Sequence, residues 1–468
     1  MAQQRFLSRV GEHIIDASPE TLAKMWGLFE GIATNEADNA QARRFRWLVE
    51  QDHPFGQWLT RIADELNSNS KKALIQNVYG NAWFLNRSKR QSFERDHGFA
   101  PPYFMVIDVT ARCNLSCEVC CAADYRGGDD MQYDVLDRII TEAEEKMGMH
   151  FIVLSGGEPT LRDDLFELYE SHPNTQFQID TNGTLIDGEM AEQFAELGNV
   201  MPMLSIEGDD VLTDDRRGNG VHREVMDAME CLRDNGVLFG FSATATRDNV
   251  DAISSDEFIE SMIEKGCLYG LYSQYIPVGR NPNPDFMITP EQRDRLRHRV
   301  YRLRNNSPIF LADFWNDGPE VGGCMAGGKR YFHINNDGAI EPCVFCHFAV
   351  GNVHEHSLTQ ALKHPLFEDI RGASPDDGNV LKPCLLIDRP WVFRDLAEKH
   401  DADPTHPGAE TLITELSDDL DERANSWSEL AEEAWENNDY MGLYPYPPED
   451  AREGVDYEEM AQWAPVGA

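Results

Sequence analysis

The chain has 468 residues and a mass of 53.1 kDa, enough for two or three compact units, and is 41% apolar and 26% charged. Acidic residues outnumber basic ones 82 to 41, and the net charge of -41 repels a phosphate backbone, which excludes nucleic acid as a partner. No stretch approaches the roughly 18 apolar residues of a membrane span. Arg5 and Arg9 near the start are followed by no apolar block, so the cytoplasm is the expected compartment.

Residues 1–100 read as a helical N-terminal region. Ser18 and Pro19 open an apolar series at helical spacing, Leu22, Met25, Trp26, Phe29 and Ile32. After Pro101 and Pro102 short β-rich runs alternate with amphipathic stretches, which predicts a parallel sheet over residues 101–309. Strands are expected at 104–110, 150–155, 176–180, 201–206, 238–245 and 271–276, and helices at 133–147, 163–171, 188–197, 221–235, 256–265 and 289–305. Six such units fit an open curved barrel or a flat doubly wound sheet. Residues 310–390 are rich in Gly, Cys and His with little periodicity, the texture of a small domain held by metal. Residues 391–468 read as an acidic, weakly ordered tail with one short helix at 409–425 and a turn run from Tyr444 to Pro448. Only 10 of the 41 basic residues are Lys, a surface similar to that of proteins from salt-loving organisms, where molar salt shortens the screening length to about 3 Å.

The cysteines are clustered, which in a cytoplasmic chain points to metal ligands. Cys113, Cys117, Cys120 and Cys121 fall in one loop, Cys324, Cys343, Cys346 and Cys384 form a second group, and Cys231 and Cys267 read as core residues. The first loop follows the first strand and has the spacing C-x3-C-x2-C. An iron-sulfur cube takes four donors, so three thiolates leave one iron open to another ligand. Zinc competes, although structural zinc sites close all four positions. Cys121 adjoins Cys120 and reads as packing.

That loop, followed by Ser155-Gly156-Gly157-Glu158-Pro159 after the second strand, resembles the radical S-adenosylmethionine superfamily over residues 100–310. The resemblance implies an α/β fold, a partial (β/α)6 barrel between the N-terminal helical region and a small C-terminal metal-cluster domain. It implies a site-differentiated [4Fe-4S] cluster on Cys113, Cys117 and Cys120, with S-adenosylmethionine at the open iron. Gly156, Gly157 and Glu158 would meet the methionine amino group. Asn182, with Asp180, Thr181 and Gly183, and Ser205 and Glu207, with Ile206, would either line the cofactor pocket or cap strand ends. Arg217, with Arg216 as the competing register, would clamp a carboxylate, and Val278 would pack on the adenine. Val119 stands where the family usually has an aromatic residue.

The C-x13-G-x4-C run from Cys324 through Gly338 to Cys343 resembles the auxiliary-cluster domains called SPASM and twitch. The Asn336-Asp337-Gly338 turn predicts a hairpin that brings Cys324 near Cys343, and Cys346 and Cys384 would complete the ligands of a second iron-sulfur cluster. Four thiolates on one zinc ion are the alternative. His333, His347, His354, His356 and His364 could replace a cysteine ligand, but scattered histidines of this kind read as surface or capping residues and the cysteines are the expected ligands. The expected reaction is reductive cleavage of S-adenosylmethionine to a 5'-deoxyadenosyl radical, which takes hydrogen from an unactivated carbon of a peptide, protein, small-molecule or lipid substrate. A ferredoxin or flavodoxin is the expected electron donor. The alternative is a non-catalytic redox sensor that binds an iron-sulfur cluster or zinc on the same fold. Hydrogen abstraction requires no general base, and no nucleophile set stands out.

Overall fold

The computed structural model describes residues 36–123 and 129–440, so the Leu22 to Ile32 series and the Tyr444 to Pro448 run lie outside the described residues. The N-terminal region forms α1 (Glu36–Glu50), α2 (Pro54–Glu65), α3 (Ser68–Ala73), a π-helical stretch (Leu74–Leu85) and α4 (Arg87–His97). The Asn67 side chain starts α3 by accepting from the amides of Asn69 and Ser70. Trp58 Nε1 donates to the Leu268 carbonyl at 2.7 Å, Asn67 Nδ2 to that of Asn235 at 3.0 Å and Asn81 Nδ2 to that of Asn174 at 2.9 Å. Each acceptor lies in a loop that precedes a strand, so these helices cover the amino end of the sheet and leave its carboxyl end to the functional site.

The strands are β1 (Met105–Thr110), β2 (Phe151–Gly156), β3 (Gln176–Thr181), β4 (Val200–Ser205), β5 (Gly240–Ala245), β6 (Tyr269–Gln274), β7 (Phe310–Asp313), β8 (His333–Ile334) and β9 (Ile340–Glu341). They form one sheet in the order β7-β6-β5-β4-β3-β2-β1-β8-β9, parallel from β7 through β8, with β9 antiparallel at the edge. The sheet is open, as a partial barrel requires. Between the strands run α5 (Tyr133–Glu142), α6 (Leu165–Ser171), α7 (Gly188–Leu197), α8 (Asp210–Arg217), α9 (Val221–Asp234), α10 (Asp256–Glu264) and α11 (Pro290–Asn306).

Period-two alternation decides what each strand buries. On β1, Met105, Ile107 and Val109 join the main core, which includes Leu136, Ile139 and Ile140 of α5. Each such fully buried aliphatic side chain contributes about 1.5–3 kcal/mol. Val106, Asp108 and Thr110 face the other way. Side-chain caps start the helices where the chain turns back: Asp187 accepts from the Met190 amide, Asp209 from Leu212 and Ser255 from Phe258, and Thr289 forms a reciprocal capping box with Gln292.

Two expectations change. The sequence reading divided the chain at residue 310, but β7 extends the core sheet beyond it, and the hairpin of β8 and β9 joins the opposite edge through β1. The tail is ordered to residue 440: α12 (Pro390–Lys399) and a 3-10 turn (Ala409–Ile413) precede α13 (Ser417–Glu436), which begins later and runs longer than the helix expected at 409–425. Leu420, Ala424, Trp427, Ala431 and Ala434 form its buried stripe. Trp427 Nε1 donates to the Leu381 carbonyl at 3.0 Å, and the Arg293 guanidinium of α11 lies 4.1 Å from the Trp427 ring centroid. A few apolar side chains and one stacked cation thus hold an acidic segment that its composition alone would leave in solvent. Among the described residues no helix is long and apolar enough to cross a membrane.

Candidate active site

Five connections at the carboxyl end of the sheet are tied to one another. The Gly157 amide donates to the Thr110 carbonyl and the Glu158 amide to that of Arg112, both at 2.8 Å, which joins the loops after β1 and β2. A Cβ on Gly157 would sit 2.1 Å from the Arg112 oxygen, so only glycine allows this approach. Asn114 and Asn182, after β1 and β3, meet at 2.8 Å, and the Glu118 amide donates to the Arg216 carbonyl after β4. After β6, the Arg280 amide donates to the Cys120 carbonyl and Arg280 Nη1 to that of Cys117.

Inside this knot lies a cavity of about 160 Å³ lined by Cys113, Cys117, Cys120, Cys121, Gly156, Gly157, Asn182, Ser205 and Arg217, with Asp108 and Asp180. Val344 and His347 of the second cysteine region also line it. The Leu115 amide and Asn182 Nδ2 reach Cys113 Sγ at 3.4 and 3.9 Å. Arg217 pairs with Glu207, and against the penalty of burial the charges of Glu207, Cys117 and Cys120 hold its pKa above the usual value. Four thiols, one amide donor and one guanidinium therefore face one small space.

The second group is also assembled by the fold. The Gly338 amide closes the hairpin turn onto the Asn335 carbonyl with Gly338 at φ +81°, and His333 and Ile334 pair with Glu341 and Ile340. The backbones of Cys343 and Cys346 pair as one antiparallel β-bridge with both thiols free, and burial, with the nearness of other members of the set, pushes the thiols of Cys346 and Cys384 up. The Phe345 amide donates to Cys343 Sγ at 3.5 Å and the Leu386 amide to Cys384 Sγ at 3.4 Å, the same two-residue step as at Cys113. Amides aimed at sulfur favour thiolate over thiol, which suits metal ligands. Among the described residues no three ligating side chains crowd one point closely enough for a single ion, so the fit to clusters rests on the thiols that share one cavity and on these amides.

Family models match at both places, the radical SAM superfamily over residues 107–247 and the SPASM iron-sulfur cluster-binding domain over 324–391. The mycofactocin maturase MftC of Mycolicibacterium smegmatis is 30% identical over 318 residues, which span 64% of this chain and 79% of that protein. The chain belongs to the radical S-adenosylmethionine superfamily. An AdoMet-dependent heme synthase of Methanosarcina barkeri is 26% identical over 289 residues, 55% of this chain and 81% of the relative. The crystal structure of Streptococcus suis SuiB bound to precursor peptide SuiA shares the fold, with a TM-score of 0.53 at 19% identity over 73% of this chain and 85% of that one. This radical SAM protein is an enzyme, with a [4Fe-4S] cluster, S-adenosylmethionine and an additional iron-sulfur cluster as its cofactors. Membership in a family of enzymes replaces the alternative of a non-catalytic sensor.

Within this radical SAM site, three residues expected at the cofactor stand behind the wall. Glu158 is buried, and its carboxylate accepts from Thr160 Oγ1 at 2.6 Å, Thr181 Oγ1 at 2.7 Å and the Asn182 amide at 2.7 Å, so it braces the β2 and β3 turns. Glu207 is turned to Arg216 and Arg217. Val278 packs with Val119, Tyr275 and Ile276 beneath the cysteine loop. Val119 carries φ +50°, rare for a β-branched residue, and its apolar side chain is buried in that cluster in place of the usual aromatic. His333 and His347, read as surface or capping residues, are buried, whereas His364 does cap a helix by accepting from the Leu366 amide. Asp108, a carboxylate inside the apolar run Met105 to Val109, lines the cavity without belonging to any motif, and Cys121, expected as packing, lines it too.

Proposed function

We propose that Cys113, Cys117 and Cys120 hold the site-differentiated [4Fe-4S] cluster, that S-adenosylmethionine binds beside it, and that the enzyme takes a hydrogen atom from an unactivated carbon of a peptide or small-molecule substrate. The observation that carries this reading is the single cavity shared by the three thiols, the Gly156-Gly157 turn, Asn182, Ser205 and Arg217. The bound cluster and cofactor supply one-electron cleavage of a carbon-sulfur bond and the resulting 5'-deoxyadenosyl radical.

The protein's own residues orient and shield. Gly157 lets the β2 turn close against the cysteine loop, so main chain rather than side chain faces the ligand. Arg217, fixed by Glu207, presents a planar cation suited to a carboxylate. Asn182 donates toward Cys113 while its oxygen accepts from Thr184, which fixes the amide's orientation. Val344 and His347 bring the second cysteine region to the wall of the same cavity. Cys324, Cys343, Cys346 and Cys384 would hold the additional cluster, and a ferredoxin or flavodoxin would supply the electron.

Anaerobic reconstitution with iron and sulfide, followed by reduction in the presence of S-adenosylmethionine, tests the reading. 5'-Deoxyadenosine and methionine are the expected products. Iron incorporation without cleavage would overturn it.

A further inference from the structure

Asp108 lines the cavity, yet nothing above uses it. Its Oδ2 stands 3.1 Å from Nε2 of His333, and the other ring nitrogen, Nδ1, stands 2.6 Å from Glu341 Oε2. His333 and Glu341 are 0% exposed, and Asp108 is 3% exposed. The second Glu341 oxygen accepts from Thr405 Oγ1 at 2.6 Å. The arrangement follows from topology: β8 pairs in parallel with β1, Val106 opposite His333, which sets the imidazole beside the inward face of β1.

Both nitrogens of His333 lie within ion-pair distance of a carboxylate, Nδ1 hydrogen-bonded to Glu341 and Nε2 beside Asp108 without hydrogen-bond alignment. Only the imidazolium carries a proton on each nitrogen, so only the charged ring suits both neighbours. Burial opposes that charge, but Asp108 and Glu341 outweigh it and push the His333 pKa up to about 10. The contact with His333 fixes the orientation of the Asp108 carboxylate. Elsewhere on the wall, Arg217 shares the Glu207 carboxylate with Arg216, and Asp180, whose pKa burial pushes up to about 6, accepts from the neutral amide of Gln178 at 2.9 Å.

We propose that Asp108, held by His333, is a specificity residue that makes the cavity prefer the cationic sulfonium of S-adenosylmethionine to uncharged nucleosides of the same shape. The proposal rests on the reading of this cavity as the cofactor site. In a poorly hydrated space an anion acts on a cation more strongly than it does in water. The one-electron chemistry that the bound cluster would supply removes the positive charge of the sulfonium. The anion that favours the reactant thus gives no such hold on the products. Glu341 orients His333, and His333 orients Asp108, so both are positioning residues.

Calorimetric titration of the anaerobically reconstituted enzyme tests this with three probes: S-adenosylmethionine, sinefungin, which bears an ammonium group in place of the sulfonium, and neutral S-adenosylhomocysteine. Wild-type enzyme is expected to bind both cations more tightly than the neutral thioether by about tenfold, the scale on which one opposite charge shifts an equilibrium. Asp108→Asn should narrow that ratio about tenfold by weakening both cations while leaving S-adenosylhomocysteine unchanged, and His333→Gln should narrow it in the same direction. A structural role would weaken all three probes alike, and that result overturns the proposal. Equal binding of the three probes by wild-type enzyme overturns it too, without any variant. Should Asp108→Asn fail to fold, the wild-type ratio and His333→Gln decide. Binding of none of the probes by wild-type enzyme would instead remove the cofactor-site reading on which the proposal stands.

Discussion

Arg217 places both Nε and Nη2 on Oε1 of Glu207, at 2.9 and 2.5 Å, while Arg216 Nη1 takes Oε2 at 2.7 Å. Two guanidinium groups after β4 thus share one fully buried carboxylate, and the cavity arginine is oriented before any ligand arrives.

Glu207→Gln removes the charge that both arginines answer. Breaking a buried pair typically costs about 3 kcal/mol or more, so chemical unfolding at neutral pH should show a loss of that order. Burial raises the Glu207 pKa, but Arg216 and Arg217 outweigh it and leave the folded value depressed. A depressed carboxylate stabilises the fold above its unfolded pKa of about 4.3, and that contribution fades as pH falls through the folded value. Wild-type stability should therefore drop more steeply than that of the variant below about pH 4.3.

Gly157→Ala should open the knot around the cysteines. Its Cβ would meet the Arg112 carbonyl oxygen at 2.1 Å, and both partners are main chain, so neither can swing aside. Overpacking of this kind costs about 1–3 kcal/mol. Thermal unfolding and calorimetry with S-adenosylmethionine would check it, with weakened binding even where the fold survives.

Cys117→Ala and Cys384→Ala should separate the two clusters. Either variant should lose the iron of one cluster and keep that of the other after reconstitution. Cys117→Ala should abolish 5'-deoxyadenosine, whereas Cys384→Ala should retain cleavage in the absence of substrate. Iron analysis and chromatography of the products read both outcomes.

The charged His333 gives a test at the opposite end of the pH scale. Its folded pKa, about 10, lies above the ordinary value, so its contribution is complete below about pH 6.5 and is lost as pH rises toward 10. Wild-type stability to urea should fall across that window, and His333→Gln should be flatter there.

Much of the architecture is written in local pattern. The expected helix at 188–197 has the bounds of α7, and the expected strand at 176–180 differs from β3 by one residue, because periodicity and cap residues act within a few positions of the chain. The tail misled for the same reason: its acidic composition hid the stripe from Leu420 to Ala434, which has meaning only beside Leu381 and Arg293.

The sequence by itself determined the alternation of strands and helices, the cysteine loop after β1 and the Gly-Gly turn after β2, since each is a matter of spacing along one short segment. Only the tertiary structure decided which polar side chains face the cavity. Glu158 and Glu207 sit in the expected motifs but turn to partners behind the wall, while Asp108 faces inward and is held by His333 from 225 positions along the chain. A buried charge settles where its compensating partners stand, and those partners come from strands and loops that only the folded sheet brings together.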